Sequence, residues 1–155
     1  MNLMPTLEGG LRLEAESEVD WQILYAIPHD AAGTDLASRL GDLVTDDSLA
    51  EDWNDFVVPD LKSQFDNQIE HVSDAIREAH ASAEGERGTI SIKPAESSIW
   101  YGVLNQARLS LEEMHHFGNR DQVDLTGQDP NRRTAFFRSQ FYCALQSEML
   151  RHGLI

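Results

Sequence analysis

Residues 99–117 read IWYGVLNQARLSLEEMHHF, and the phase of this stretch decides the fold. At about 100° per residue, Ile99, Trp100, Val103, Leu104, Ala107, Leu111 and Met114 fill one arc of roughly 140°, as in an amphipathic helix with one buried face. The string EEMHH at its end holds two overlapping Glu-x-x-His spacings, Glu112 to His115 and Glu113 to His116. Such a spacing puts a carboxylate and an imidazole side by side, but a di-iron or di-manganese site needs it on two helices, with two further inward Glu. The projection sends Glu113 and His116 to solvent and leaves Glu112 and His115 on the flank. Arg108, one turn before Glu112, is expected to form an i,i+4 ion pair with it and so to compete with a cation. His71 and His80, in EHVSDAIREAH, have no Glu three residues before them, and no His-Glu-x-x-His occurs. The expectation is a solvated helix back with no metal and no cofactor. A metal-dependent enzyme would require Glu112 or His115 to converge with His71 or His80.

Working outward, Leu11 and Leu13 alternate with Arg12 and Glu14 after Gly9-Gly10, which predicts a short strand closing a hairpin on residues 2–7. TISIK alternates in the same way, so Ile90 and Ile92 predict a second strand whose mate is LRLEA. Ser17 with Glu18 and Asp20 reads as a capping box opening the helix VDWQILYAI, which Pro28 is expected to end. Apolar residues run around most of that helix, which predicts a place near the middle of the fold. Thr34 opens a second helix carrying Leu36, Leu40, Leu43 and Val44. The acidic turn TDDSLAED lacks the glycine and closing Glu of a calcium loop. Leu49, Trp53, Phe56 and Val57 form a further apolar face, and Pro59 is placed to start a fresh helix. Leu61, Phe65, Ile69, Val72, Ile76 and Ala79 then recur at four and three, a narrow stripe that suits a long bundle helix or one side of a dimer seam. A polar loop over 118–131 leads to the last helix, RTAFFRSQFYCALQSEML.

The fold class expected is α+β, mainly α: about six helices in a bundle-like core with a small sheet of two or three short strands. With 155 residues and no linker, a single domain over 1–155 is expected. Cys143 is the only cysteine, which excludes an internal disulfide and a Cys-rich zinc site. No stretch nears the roughly 18 apolar residues of a membrane span, and the start MNLMPTLEGG lacks a signal-like pattern, so the protein is read as soluble and cytoplasmic. A formal charge of -15 repels phosphate backbones and anionic lipid, so neither nucleic acid nor membrane is expected as a partner.

Several strings taken together point to a family. LRLEAESEVDWQILYAI, LAEDWNDFVVPDLKSQF, a strand running into WYGVLNQARLSLEE, and FYCALQSEML resemble a family of bacterial domains of unknown function, the one numbered twenty-seventeen. The resemblance spans nearly the whole chain. Its most specific pieces are Leu104-Asn105 with Arg108-Leu109, and Leu145-Gln146 with Glu148. It implies the order strand, helix, helices, strand, long helix, C-terminal helix, and it implies no established activity. In some genomes the family's genes lie near that of an adaptor for a cytoplasmic AAA+ protease, which implies a link to regulated proteolysis. EEMHH is outside the family pattern and gains nothing from the resemblance.

The polar residues singled out are Arg108, Glu148, Asn105 and Gln146. Projection places Glu148 inside the apolar arc of the last helix, among Phe137, Phe141 and Leu145, and a buried carboxylate needs a partner. Arg108 is expected to bridge to it, with Asn105 or Gln146 beside them, as a structural pair or as a pocket that holds a carboxylate. There is no Gly-x-Ser-x-Gly elbow and no Gly-rich phosphate loop. The leading reading is a non-catalytic, self-associating interaction module, with a protein partner in proteolysis. The alternatives are the metal-dependent enzyme at Glu112 and His115, or a small-molecule sensor with a pocket at Arg108.

Overall fold

A computed structural model describes residues 1–119 and 129–155. The loop read over 118–131 therefore lies largely outside the described residues. The chain begins with two strands, β1 (Asn2–Pro5) and β2 (Leu11–Ala15), joined by a tight turn in which the Thr6 hydroxyl accepts the Gly10 N–H at 2.9 Å. Gly9 takes φ +81° there, and a Cβ on Gly10 would sit 2.4 Å from the Ile92 carbonyl oxygen. The paired glycines are thus required by turn geometry and by close backbone approach. β3 (Gly88–Ile92) pairs antiparallel with β2, matching Leu11 to Ile92 and Leu13 to Ile90, so the three-stranded order is β1-β2-β3. Alternation buries Leu11, Leu13, Ile90 and Ile92 on one face.

α1 (Glu18–Ala31) starts at Ser17, whose hydroxyl accepts the Asp20 N–H. Asp20 reaches back to the Glu16 N–H at 2.8 Å, one residue earlier than a capping box requires. Pro28 does not end this helix; it lies inside it. The proline forfeits one backbone bond to the carbonyl four residues earlier, and the turn persists because Pro28, Asp30 and Ala31 are all buried.

α2 (Leu36–Asp42) is capped by Asp35 rather than Thr34, and α3 (Asp47–Asp52) is capped by Asp46. A wide π-helical turn, Trp53–Val57, joins α3 to α4 (Val58–Ala81), so helix runs on through Pro59 instead of restarting there. The proline lacks a donor and its ring crowds the carbonyl four residues back, which the wider turn just upstream accommodates. A short 3-10 turn, Pro94–Glu96, leads into α5 (Ser97–His115), and α6 (Pro130–Arg151) closes the chain.

The fold is mainly α with a small antiparallel sheet. Four long helices, α1, α4, α5 and α6, carry it; the expected set of about six bundle helices is corrected, since α2 and α3 span only 7 and 6 residues. α5 packs on α1, α4 and α6, and α1 packs in turn on α4, α5 and α6 with Trp21, Leu24 and Ile27 fully buried, although its Val19 is 60% exposed. That placement explains why Gln106 and Ser110 on α5 are buried although polar. Gln106 donates to Gln68 of α4 at 2.9 Å. Met114, expected inside, is 46% exposed. Among the described residues no helix is long and apolar enough to cross a membrane.

Candidate functional site

The residues expected to form one polar pair are split between two places. Arg108 donates from Nη1 to Gln146 Oε1 at 2.6 Å, and Gln146 Nε2 donates to the Tyr101 carbonyl at 3.2 Å, which ties α5 to α6. Glu148 takes no part. It pairs along its own helix with Arg151 at 2.5 Å and His152 at 3.5 Å. Asn105 is exposed on α5 and lines a cavity beside Arg108. Glu148→Gln is expected to change unfolding free energy by no more than about 0.5 kcal/mol in urea titration, as for a surface pair.

The phase of α6 is the reason. Its buried residues are Ala135, Ser139, Tyr142, Leu145, Gln146 and Met149, while Phe137 is 57% exposed. The helix is turned so that Arg138 and Tyr142 meet Asp30 of α1. Arg138 grips the carboxylate with two bonds, Nε to Oδ2 at 2.7 Å and Nη2 to Oδ1 at 3.0 Å, and the Tyr142 hydroxyl donates to Oδ2 at 2.7 Å. Burial, followed by the Asp30 charge, pushes the Tyr142 phenol well above its ordinary range, so it remains a donor. Hydrogen bonding to Asp30 raises the Arg138 guanidinium further despite partial burial. This clasp was missed in the sequence, although two signals were present. Asp30 is an acid in the last turn of a helix, where the dipole disfavours it, and Arg138 and Tyr142 stand four apart on one face.

EEMHH closes a helix. Glu112 Oε1 accepts the Gly118 N–H at 3.0 Å instead of pairing with Arg108, and Glu113 accepts from Arg39 at 2.9 Å. His115 stacks on Phe117 with centroids 5.6 Å apart, and His116 takes the left-handed conformation at φ 49° that ends α5. Arg132 of α6 donates to the His115 and His116 carbonyls, satisfying free acceptors at the negative helix end. His80 lies elsewhere, stacked on Trp21 at 4.3 Å and bonded to the Tyr25 hydroxyl at 3.0 Å. His71 faces Glu96 at 4.0 Å. Glu112 and His115 therefore do not converge with either histidine. Among the described residues no three of His, Cys, Asp and Glu are grouped to hold a metal ion.

Among the described residues, three carboxyl groups are held below their ordinary value of 3.8. Burial opposes the shift at Asp20, but the Glu16 N–H and the Met1 ammonium outweigh it; Asp35 is held down by the Ser38 N–H, and Asp46 by the Ser48 hydroxyl. A depressed folded value stabilises the protein above the ordinary value and loses that contribution as pH falls through the folded one. Stability is therefore expected to hold from neutral pH to about pH 5 and to decline below about pH 4. Urea titrations at pH 6, 4 and 3 read this directly; equal stability at all three would contradict it.

Three of the exposed large apolar side chains fall in one short segment. Leu43, Leu49 and Phe56, on the segment from α2 through the π turn, are 73%, 57% and 70% exposed. That segment gives no buried side chain to the main core cluster. Within it the Trp53 Nε1 donor is buried without an acceptor.

No curated protein and no solved structure gives a significant match to the chain. The family model described as a domain of unknown function, DUF2017, matches residues 7–152, and the chain belongs to that family.

Proposed function

We propose that the chain is a non-catalytic interaction module that docks a partner protein through the face running from the end of α2 to the start of α4. The exposed Leu43, Leu49 and Phe56 carry this reading. The same stretch, residues 42–60, carries seven carboxylates, Asp42, Asp46, Asp47, Glu51, Asp52, Asp55 and Asp60, and contains no Lys or Arg. An apolar centre with an acidic rim fits a surface of apolar knobs ringed by Lys and Arg. A second copy fits poorly, because the carboxylates of each protomer would face those of the other. The link to regulated proteolysis enters through the family resemblance alone, as a choice of partner: a component of that machinery with a basic docking surface.

The test is sedimentation together with capture from the native cell. The wild type is expected to sediment as a monomer at micromolar concentration. It should also retain a basic protein that salt releases, as screening weakens rim charges. Leu49→Ser and Phe56→Ser should lose that protein while keeping stability within about 0.5 kcal/mol, since both side chains are exposed. A dimer dissociated by Phe56→Ser would assign the face to a second copy instead. Capture unaffected by both substitutions would remove the face from recognition.

A further inference from the structure

The outer edge of β3 offers backbone groups that the fold leaves unused. In β2 the Gly10 carbonyl faces β1, accepting the Thr6 N–H at 2.9 Å, so strand alternation turns the N–H and C=O groups of Leu11, Leu13 and Ala15 toward β3. Their mates across the ladder are Ile92, Ile90 and Gly88. Thr89 and Ser91 therefore turn their N–H and C=O groups outward, away from β2. At either end the edge is closed within the chain. Arg87 exchanges both backbone groups with Glu84, at 3.2 and 2.9 Å, while the Lys93 N–H meets the Glu96 carboxylate at 3.3 Å and its C=O takes the Glu96 N–H at 2.9 Å. Two donors and two acceptors remain, on Thr89 and Ser91, and no group among the described residues bonds them. Proteins ordinarily blunt such an edge. β1 does so on the other side of the sheet, where Pro5 has no donor to offer. Between the β3 edge and α4 runs a groove of about 600 Å³, with Thr89, Ile90 and Ser91 on one wall and the α4 face bearing Ala75 and Ala79 on the other. Thr89 and Ser91 are exposed, and at the two alanines the helix wall ends in methyl groups. The rim carries Asp74, Glu78 and Glu96 against Lys93 and His71. Glu78 is exposed and has no partner among the described residues.

We propose that the open edge of β3 receives an extended, basic segment of a partner protein, which adds as a fourth strand in the groove beside α4. Main-chain bonds to Thr89 and Ser91 supply the ladder, and alternate side chains of the segment fall toward the helix wall or toward solvent. The rim sets the sign of the partner: three carboxylates against one lysine and one histidine favour Lys and Arg. A second copy of this chain fits poorly, because pairing β3 with β3 would bring two such rims together. The ladder is open over residues 89–91, about 10 Å of strand, so a segment of roughly five to seven residues covers it with its flanks. This edge shares no residue with the docking face between α2 and α4, and either reading can fail without the other.

Amide hydrogen exchange on the full chain reads the edge first. The Ile90 and Ile92 amides should exchange slowly and those of Thr89 and Ser91 fast; equal protection of the two sets would overturn the proposal. Random peptides of about seven residues, displayed on phage and panned against the full chain, supply the probe. Selected sequences should carry Lys or Arg at alternate positions without a central proline. The strongest, made with capped ends, should bind with a Kd below about 100 µM. At saturation it should slow exchange at Thr89 and Ser91 by about tenfold or more. Ser91→Pro removes an edge donor that β2 does not use and should weaken the peptide by about tenfold or more, whereas Ser91→Ala should not. If Ser91→Pro fails to fold, Glu78→Lys, at an exposed position, decides by the same margin. Four results would each overturn the proposal: no enrichment of alternating basic sequences, a selected peptide that protects no amide of β3, Ser91→Pro binding as tightly as wild type, or a dimer of the chain alone that protects Thr89 and Ser91. The last would assign the edge to a second copy.

Discussion

Asp30→Ala is expected to lower unfolding free energy by about 3–5 kcal/mol, because it strips the acceptor from a buried charge pair and leaves its partners exposed to the cost. The Asp30 side chain is 3% exposed and receives three bonds, two from Arg138 and one from Tyr142. Removing it leaves a guanidinium that is 25% exposed and a buried phenol without acceptors. For a chain of this length the midpoint of thermal unfolding should fall by roughly 10 °C or more. Tyr142→Phe, which deletes one donor and leaves the ion pair, should cost only about 1 kcal/mol. The two substitutions should not add, since they share one carboxylate. Urea unfolding of both single variants and the double reads all three expectations. A loss below 1 kcal/mol for Asp30→Ala would mean the clasp positions α6 without stabilising it.

Trp21→Ala is the second large effect, about 3–5 kcal/mol. The indole is fully buried, stacks on His80 with an interplanar angle of 17°, and donates from Nε1 to the Glu86 carbonyl at 2.8 Å. It also occupies the space a side chain at the start of β3 would need, since a Cβ on Gly88 would lie 2.6 Å from the ring. One residue therefore joins α1, α4 and the loop into β3, and its loss leaves a cavity that three elements must close together. Trp21→Phe keeps much of the packing and gives up the hydrogen bond, so it should cost clearly less. Equal losses for the two substitutions would place the energy in the Nε1 bond rather than in the ring.

What the sequence made legible was whatever repeats locally. Strands alternating at Leu11, Leu13, Ile90 and Ile92 announce their register, because a one-residue slip would turn every apolar side chain outward. α5 is equally plain at Trp100, Val103, Leu104, Ala107 and Leu111, all fully or almost fully buried. α6 was misphased because Phe137 and Phe141 dominate any hydrophobic projection, whereas its real inner face is set by a partner 108 residues away, Asp30. That same rotation carried Glu148 off the α5 contact and brought Gln146 to Arg108. Pro28 and Pro59 misled for a related reason: a proline removes one helical bond, and burial or a π turn absorbs the loss. EEMHH drew attention as a ligand spacing, but a spacing says nothing of what lies opposite. Opposite it stand Arg132, Gly118 and Arg39, which make it a helix terminus.

The functional reading depends on a single face, and site-specific photocrosslinking in the native cell tests it most directly. A benzophenone amino acid placed at Phe56, at Leu49, and at the exposed Phe137 on α6 reports which surface another protein touches. The docking face predicts one discrete adduct from positions 56 and 49, with a basic protein other than this chain, and none from 137. An adduct from 137 with none from 56 and 49 would contradict it.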